Sequence, residues 1–241
     1  VLDSRVVPIV CANLGGWGKR NVSAELSELL DGIRVLVGND ANVAALGEIW
    51  MGCAKGCRSA VMVTLGTGVG GGVIVNGKVI DGTHGAGGEI GHITVNRHET
   101  AACGCGKHGC LEQYSSATGV VRCMKKLLEE NPDTPCTLRG TAFAAKDVFD
   151  AARNGDALAA REVDEMTDTL GMALANVANT VDPEMFMVGG GVARAGDVLF
   201  APLREHFKTY AFSSCRETPI VAATLGNDAG IYGSVRLIVG E

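Results

Sequence analysis

The sequence has 241 residues, enough for one large domain or two small ones with a sizeable core. A net charge of −6 without any basic run argues against a nucleic-acid surface in this portion, and no apolar stretch reaches the roughly eighteen residues that a membrane span needs. The 34 glycines cluster in short loops, which favours binding sites lined by the backbone.

The N-terminal part predicts a strand at residues 6–10, a loop at 12–20, and then a helix. Ser23 is the predicted N-cap of that helix, because a serine side chain can accept hydrogen bonds from the free amides of the first turn. Residues 34–37 predict a buried strand.

Asn39 and Asp40 lie between that strand and a helix predicted over residues 43–50. Because α/β proteins place active-site residues at the carboxyl ends of strands, both side chains are candidates for chemistry. The alternative is that Asp40 only caps the helix, and position alone does not separate the two interpretations.

A glycine-rich loop, residues 65–72, follows a strand predicted at residues 59–64. A second strand at 73–75 and the dipeptide Asn76-Gly77 then predict a hairpin to residues 78–80. The loop is either a tight turn or a phosphate-binding nest, in which Thr67 and unhindered amides face an anion. It matches neither a P-loop nor a Rossmann fingerprint, since a strand follows it.

A cluster of metal-ligating residue types follows. The candidate ligands are His92, Cys103, Cys105 and Cys110. Three thiolates and one imidazole are a donor set of closed structural zinc sites, so a Cys3His zinc ion (Zn²⁺) is predicted. The alternative is a disulfide with a spare thiol, but nine cysteines and no hydrophobic signal segment favour a reducing cytosol.

Two other histidines compete with His92 for the fourth ligand position, because His98 and His108 lie equally close to the cysteines. His92 follows Glu89 on a strand-like exit from a glycine-rich turn, whereas His108 lies in a solvated loop. A ligand held by an ordered element is preferred, and this favours His92.

The C-terminal half alternates helices and strands. Predicted helices cover residues 111–130, 146–153, 159–177, 197–210 and 227–238, and predicted strands cover 185–188 and 219–223. Strand, glycine and helix recur in this order, and the predicted class is α/β with sites built from loops.

Five segments together resemble the sugar kinases of the ROK (repressor, open reading frame, kinase) family, most closely its bacterial ATP-dependent glucokinases. They are N-D-A-N at 39–42, T-L-G-T-G-V-G-G-G at 64–72, G-G-E-I-G-H at 87–92, C-G-C-G-K-H-G-C-L-E at 103–112 and G-G-G at 189–191. The resemblance implies the actin-like ATPase (ribonuclease H-like) fold, two α/β domains flanking a cleft. Residues 1–38 would then belong to an incomplete small domain, residues 39–225 to the large domain with the zinc loop, and residues 226–241 to a helix returning to the small domain.

The resemblance also implies roles for single residues. Asp40 matches the catalytic base, which takes the proton of a sugar hydroxyl as the oxygen attacks the γ-phosphate of ATP. The matching sugar-binding positions are Asn39, Asp40, Glu89, His92 and Glu112. The matching phosphate loop is Gly66, Thr67 and Gly68, and the matching adenosine loop is Gly189, Gly190 and Gly191. His92 would hold zinc through one ring nitrogen and face the sugar with the other.

We therefore expect a hexokinase-type phosphotransferase that converts ATP and D-glucose to ADP and glucose 6-phosphate. Structural zinc, and magnesium (Mg²⁺) with ATP, are the expected cofactors. The alternatives are a kinase for another hexose (N-acetylmannosamine, N-acetylglucosamine, fructose or allose) and a sugar-responsive repressor of the same family. The expected partners are sugar, ATP and a second copy in a cytoplasmic homodimer, with no nucleic acid and no membrane.

Members of the family carry near the N-terminus a D-x-G-G-T loop whose aspartate helps to hold magnesium, and nothing before residue 30 matches it. We expect the chain to begin roughly 80 to 100 residues into the family pattern. The 241-residue chain alone is then expected to fold around its zinc but to lack measurable phosphorylation.

Overall fold

The computed structural model describes residues 20–240, so the strand and loop predicted at 6–20 lie almost wholly outside the described residues. The helices are α1 (Val22–Leu29), α2 (Asp40–Met51), α3 (Glu112–Ser115), α4 (Ala117–Glu130), α5 (Ala145–Arg153), α6 (Ala157–Val181), α7 (Asp197–Tyr210) and α8 (Ala229–Val239). The strands are β1 (Ala60–Leu65), β2 (Val69–Val75), β3 (Lys78–Val79), β4 (Met185–Gly189) and β5 (Ile220–Ala222). Short 3-10 turns cover Ile90–His92, Val192–Ala195 and Gly226–Asp228.

The five strands form one mixed sheet in the order β3-β2-β1-β4-β5. β1 is antiparallel to β2 and parallel to β4, and β4 is parallel to β5. Side chains alternate along β1: Val61 and Val63 enter the large core beneath α4 to α7, whereas Met62 enters a smaller core with Ala45 of α2. Helices therefore cover both faces of the sheet, and the predicted α/β class is confirmed.

Two predictions in the N-terminal part are wrong. The N-cap of α1 is Asn21, whose side chain accepts the N–H of Ala24 at 3.0 Å, whereas Ser23 lies inside the helix and donates to the carbonyl of Val35 at 2.6 Å. Residues 34–37 form no strand, because among the described residues no other strand pairs with their backbone.

Two boundaries also differ from the prediction. The glycine loop is shorter than predicted, since β2 already begins at Val69 and contains Gly70, Gly71 and Gly72. The helix predicted over 111–130 is broken at Ser116, which adopts an extended conformation and caps α4 through its hydroxyl, 2.9 Å from the N–H of Gly119. The hairpin prediction is confirmed, with positive φ at Asn76 (52°) and Gly77 (79°).

Candidate functional site

The first turn of α2 presents Asp40. Asn39 is the N-cap, and its side-chain oxygen accepts the N–H groups of Ala41 at 2.9 Å and Asn42 at 3.1 Å. Asp40 is exposed, and within residues 20–240 its carboxylate accepts only the neighbouring N–H of Ala41, at 2.8 Å. The capping role thus falls to Asn39, and the Asp40 carboxylate stays accessible at a helix N-terminus, where negative charge is favoured.

Strand β2 brings the loop that carries Glu89 close to this helix end. A Cβ on Gly71 would lie 2.2 Å from the carbonyl oxygen of Gly88, and a Cβ on Gly72 would lie 2.5 Å from that of Ala41. Both approaches require glycine. The glycines of β2 therefore place the N-terminus of α2 and the G-G-E-I-G-H loop on consecutive residues of one strand.

Asn42 connects these two elements, although no role was predicted for it from the sequence. It is 6% exposed, and its Nδ2 donates to Asp81 Oδ1 at 3.1 Å. Its Oδ1 is buried without a partner among the described residues and would lie 3.6 Å from a Cβ on Gly88. The main-chain carbonyl of Asp81 accepts the N–H of Gly87 at 2.8 Å, which ties the same loop down. A polar residue three positions before the core residue Ala45, on the buried face of α2, was the available sequence signal.

Glu112 faces the turn between β1 and β2. Its Oε2 accepts the N–H of Val69 at 3.1 Å, and a Cβ on Gly68 would lie 2.2 Å from that oxygen. Within residues 20–240 the N–H groups of Thr67 and Gly68 donate to no acceptor. Two adjacent free amides in a glycine turn form a nest that can bind an anion.

The start of α4 fixes this turn. Thr118 Oγ1 donates to the carbonyl of Thr67 at 2.6 Å, and the N–H of Ala117 donates to the carbonyl of Gly66 at 2.8 Å. The carbonyl groups of the turn are thereby occupied from behind, so its free amides remain available to a ligand.

The four predicted metal ligands come together. One ligand atom from each of His92, Cys103, Cys105 and Cys110 lies within 4.8 Å of all the others. Cys105 Sγ and Cys110 Sγ are 3.7 Å apart, and Cys103 Sγ is 3.8 Å from His92 Nδ1. A zinc tetrahedron with Zn–S bonds of about 2.3 Å has S···S edges of about 3.8 Å, so the donor set fits this ion.

The surroundings of the cluster favour the protonated form of the Cys110 thiol when no ion is bound. Burial raises the pKa of the Cys110 thiol to about 12, and the thiols of Cys105 and Cys103 add to this shift. Buried thiolates crowded together are stabilised when a divalent cation replaces their protons.

His92 lies in the 3-10 turn Ile90–His92, so the expectation of a strand-like segment is wrong. Its Nδ1 edge faces Cys103, whereas Nε2 is 3.9 Å from Glu89 Oε2. The two edges of the imidazole therefore face the thiol cluster and the sugar-binding candidate Glu89, as the dual role requires.

The last glycine segment begins at the end of β4. Gly190 has φ 86°, and a Cβ there would lie 2.4 Å from the carbonyl oxygen of Leu65, whereas nothing lies within 4 Å of a Cβ on Gly191. Gly191 borders a cavity of about 440 Å³ that is also lined by Phe149 and Ala117. Ala117 donates its N–H to the Gly66 carbonyl, so the cavity lies beside the glycine turn between β1 and β2.

This fold and site define an α/β protein with an exposed carboxylate at a helix N-terminus and a glycine turn with free N–H groups between β1 and β2. The chain belongs to the ROK family, whose model matches residues 6–241. It is 44% identical over 227 aligned residues to a glucokinase of Halalkalibacterium halodurans, covering 92% of this chain and 68% of that protein.

Two solved structures are similar over nearly all of this chain. A ROK family glucokinase from Streptomyces griseus in complex with glucose and AMPPNP has a TM-score of 0.83 and 34% identity, over 98% of this chain and 77% of that one. A ROK hexokinase from Thermus thermophilus has a TM-score of 0.82 and 32% identity, over 99% and 77%. The predicted family and the actin-like ATPase fold are confirmed. No helix within residues 20–240 has the length and apolar character of a membrane span.

Proposed function

We propose that this chain is the sugar- and nucleotide-binding body of an ATP-dependent glucokinase, which transfers the γ-phosphoryl group of ATP to the 6-hydroxyl of D-glucose. Similarity to glucokinases at 44% sequence identity and at a TM-score of 0.83 supports this activity. The structural observation that carries the proposal is Asp40, exposed at the N-terminus of α2 beside the G-G-E-I-G-H loop.

In the proposed mechanism, Asp40 accepts the proton of the attacking hydroxyl, which makes the oxygen a better nucleophile. Glu89 and Glu112 would accept hydrogen bonds from the other hydroxyls through their carboxylates, and Asn39 would donate through its Nδ2. His92 would donate through its Nε2–H, because a neutral imidazole that binds zinc through Nδ1 carries its proton on Nε2.

The nucleotide would extend from the cavity beside Gly191 to the turn Gly66–Gly68. The apolar wall of that cavity suits a planar base, and the free N–H groups of Thr67 and Gly68 suit phosphate oxygens. Gly189 and Gly190 allow the backbone to approach closely there. Mg²⁺ accompanies ATP, because phosphoryl transfer depends on neutralising the phosphate charge.

Zinc has a structural role in this proposal. His92, Cys103, Cys105 and Cys110 would occupy all four positions of the tetrahedron, which leaves none for substrate. The domain limits, the homodimer and the cytoplasmic location stay predictions.

The first test is Asp40→Asn in the complete protein. We expect kcat to fall by about 10² to 10⁴, the usual contribution of a positioned base, with glucose affinity largely kept. Coupled ADP release measures kcat, and calorimetry measures glucose binding. Asp133→Asn, in the exposed turn after α4, is the matched control and should leave both unchanged. Unchanged turnover in Asp40→Asn would remove Asp40 from the mechanism.

The sugar itself is tested separately with a panel of glucose, fructose, allose, N-acetylglucosamine and N-acetylmannosamine. We expect the highest kcat/KM with glucose. A preference of about tenfold or more for another hexose, a ratio that one hydroxyl contact can produce, would replace glucose as the substrate.

A further inference from the structure

A second cavity of about 350 Å³ lies between α4, α6 and the chain around residues 95–99. None of its lining residues belongs to the sugar, phosphate or metal sites described above. Val95, Leu127 and Met166 form an apolar part of its wall. Its volume falls at the lower end of the range for small-molecule sites.

The basic side chains in the wall all have acidic partners. The pairs are Arg122 with Glu99 at 3.0 Å, Lys126 with Glu130 at 3.7 Å and Arg161 with Glu165 at 2.7 Å. Asp168 accepts the hydroxyl of Tyr210 at 2.8 Å and lies 3.2 Å from His206 Nδ1. No basic group in this wall is left to bind an anion.

Glu162 of α6 is the exception among the acids. It is 2% exposed, it lines the cavity, and none of residues 20–240 forms a hydrogen bond or ion pair with its carboxyl group. Burial raises the pKa of Glu162 to about 8, the charge of Glu165 adds to this shift, and Arg122 opposes it. An ionised carboxylate without a partner is costly in such a place, so a positive hydrogen-bond donor in the cavity would stabilise the ionised form of Glu162.

The residues of the cavity wall limit which kind of positive group could pair with Glu162. A divalent metal ion needs several ligands, and the only cluster of that kind within residues 20–240 is the Cys/His cluster. One carboxylate beside apolar side chains fits a single ammonium group on a short alkyl chain.

We propose that this cavity binds a small alkylammonium compound, with its ammonium group paired to Glu162 and its alkyl chain against Leu127 and Met166. Recognition then depends on one charge-assisted hydrogen bond beside the apolar part of the wall.

The test uses n-butylammonium as the probe and 1-butanol as its neutral counterpart, by calorimetry on the complete protein in amine-free buffer. At about pH 9 we expect n-butylammonium to bind with a Kd of about 1 mM or lower and 1-butanol at least about tenfold more weakly. Glu162→Gln keeps the shape of the side chain and should weaken n-butylammonium by about tenfold or more. Asp164→Asn removes the same charge from α6 outside the cavity wall and should leave the affinity unchanged.

The pH dependence gives a second readout. Glu162 must be ionised to pair with the ammonium group, so affinity should rise between about pH 7 and pH 9, while the amine stays protonated up to about pH 10. The charged or titratable groups that share the cavity wall with Glu162 are Arg161, Glu165 and Asp168 on its own helix, Arg122, Cys123, Lys126 and Glu130 on α4, and Glu99 and Tyr114. Arg122 keeps its charge over this range, and burial raises the pKa of Cys123 to about 11, so neither accounts for such a rise.

Three results would overturn the proposal. They are equal binding of n-butylammonium and 1-butanol, unchanged n-butylammonium binding in Glu162→Gln, and no binding by the unaltered protein at about 10 mM probe. If Glu162→Gln fails to fold, the comparison with 1-butanol and the pH profile of the unaltered protein test the proposal instead.

Discussion

At the scale of single residues, Asn42 has two contacts that concern catalysis. Its Nδ2 donates to Asp81, and its buried Oδ1 lies beside Gly88, next to Glu89. It also belongs to the turn of α2 that presents Asp40. We therefore expect Asn42 to position the proposed base and the proposed sugar-binding loop relative to each other.

Asn42→Asp should raise the KM for glucose by about 10- to 100-fold, the effect of losing one buried hydrogen bond, with a smaller change in kcat. The variant puts a second carboxylate against Asp81, and the repulsion should displace the loop. Steady-state kinetics measure the split between KM and kcat.

Asn131→Asp is the control for this change. Asn131 Nδ2 donates to the carbonyl of Leu127 at 2.8 Å, at the end of α4, so that variant also loses a donor but far along the chain from the sugar loop. Acidic pH should partly restore glucose binding in Asn42→Asp, since two close carboxyl groups can share a proton. An unaltered KM in a folded Asn42→Asp protein would show that Asn42 does not position the loop.

At the scale of elements, α8 packs against α2 through glycine. A Cβ on Gly233 would lie 1.7 Å from the carbonyl oxygen of Val43, and a Cβ on Gly47 would lie 2.2 Å from that of Ala229. Because the obstacles are backbone atoms, no side-chain rotation can relieve either contact.

Gly233→Ala should therefore separate the helices and lower the free energy of unfolding by about 1–3 kcal/mol, the usual cost of overpacking. Gly230→Ala lies in the same helix, where nothing is within 4 Å of the new Cβ, and should be neutral or stabilise by up to about 1 kcal/mol. Denaturant unfolding compares the two variants. Equal free energies of unfolding for the two variants would show that α8 and α2 do not pack closely at Gly233.

Elements with strong periodicity were predictable from sequence, and those that depend on distant contacts were not. The long helix α6 followed from apolar spacing, and the predicted limits of α7, 197–210, match the structure. The strand β2 was predicted too short, because its glycines were assigned to a loop. In the structure they lie within the strand and allow the backbone of Ala41 and Gly88 to pack closely against it. Residues 34–37 look like a strand, but within residues 20–240 no strand pairs with them, and apolar content alone does not supply a partner.

The same division holds for the candidate site. The four metal ligands were predictable because these residue types bind metals and lie close together in the sequence. The contact of Asn42 with Asp81 joins residues 39 positions apart and required the fold. Glu112 contacts both the glycine turn, at the N–H of Val69, and Cys103. The sequence motif did not predict these two contacts.

At the scale of the whole molecule, the Cys/His cluster joins the regions assigned to sugar and phosphate. His92 faces Glu89, whereas Cys103 Sγ lies 3.8 Å from Oε1 of Glu112, whose other oxygen accepts the N–H of Val69. Lys107 also donates to the carbonyl of His92 at 2.8 Å, within the same loop. A metal ion at this cluster would order both regions at once.

Cys105→Ser tests this arrangement, because Cys105 is exposed and its described side-chain contact is with Cys110. The unaltered protein should contain about one zinc per chain after dialysis, and the variant much less, since a closed site needs all four ligands. A structural zinc ion supplies roughly 10–16 kcal/mol in isolated zinc-finger peptides, so thermal stability should fall clearly even within a larger core. The KM for glucose should rise and kcat should fall together, because one loop serves both regions.

The control is Cys57→Ser, which removes a thiol outside the cluster and should keep zinc, stability and activity. A Cys105→Ser protein that still binds zinc and is still active would contradict the proposed zinc site.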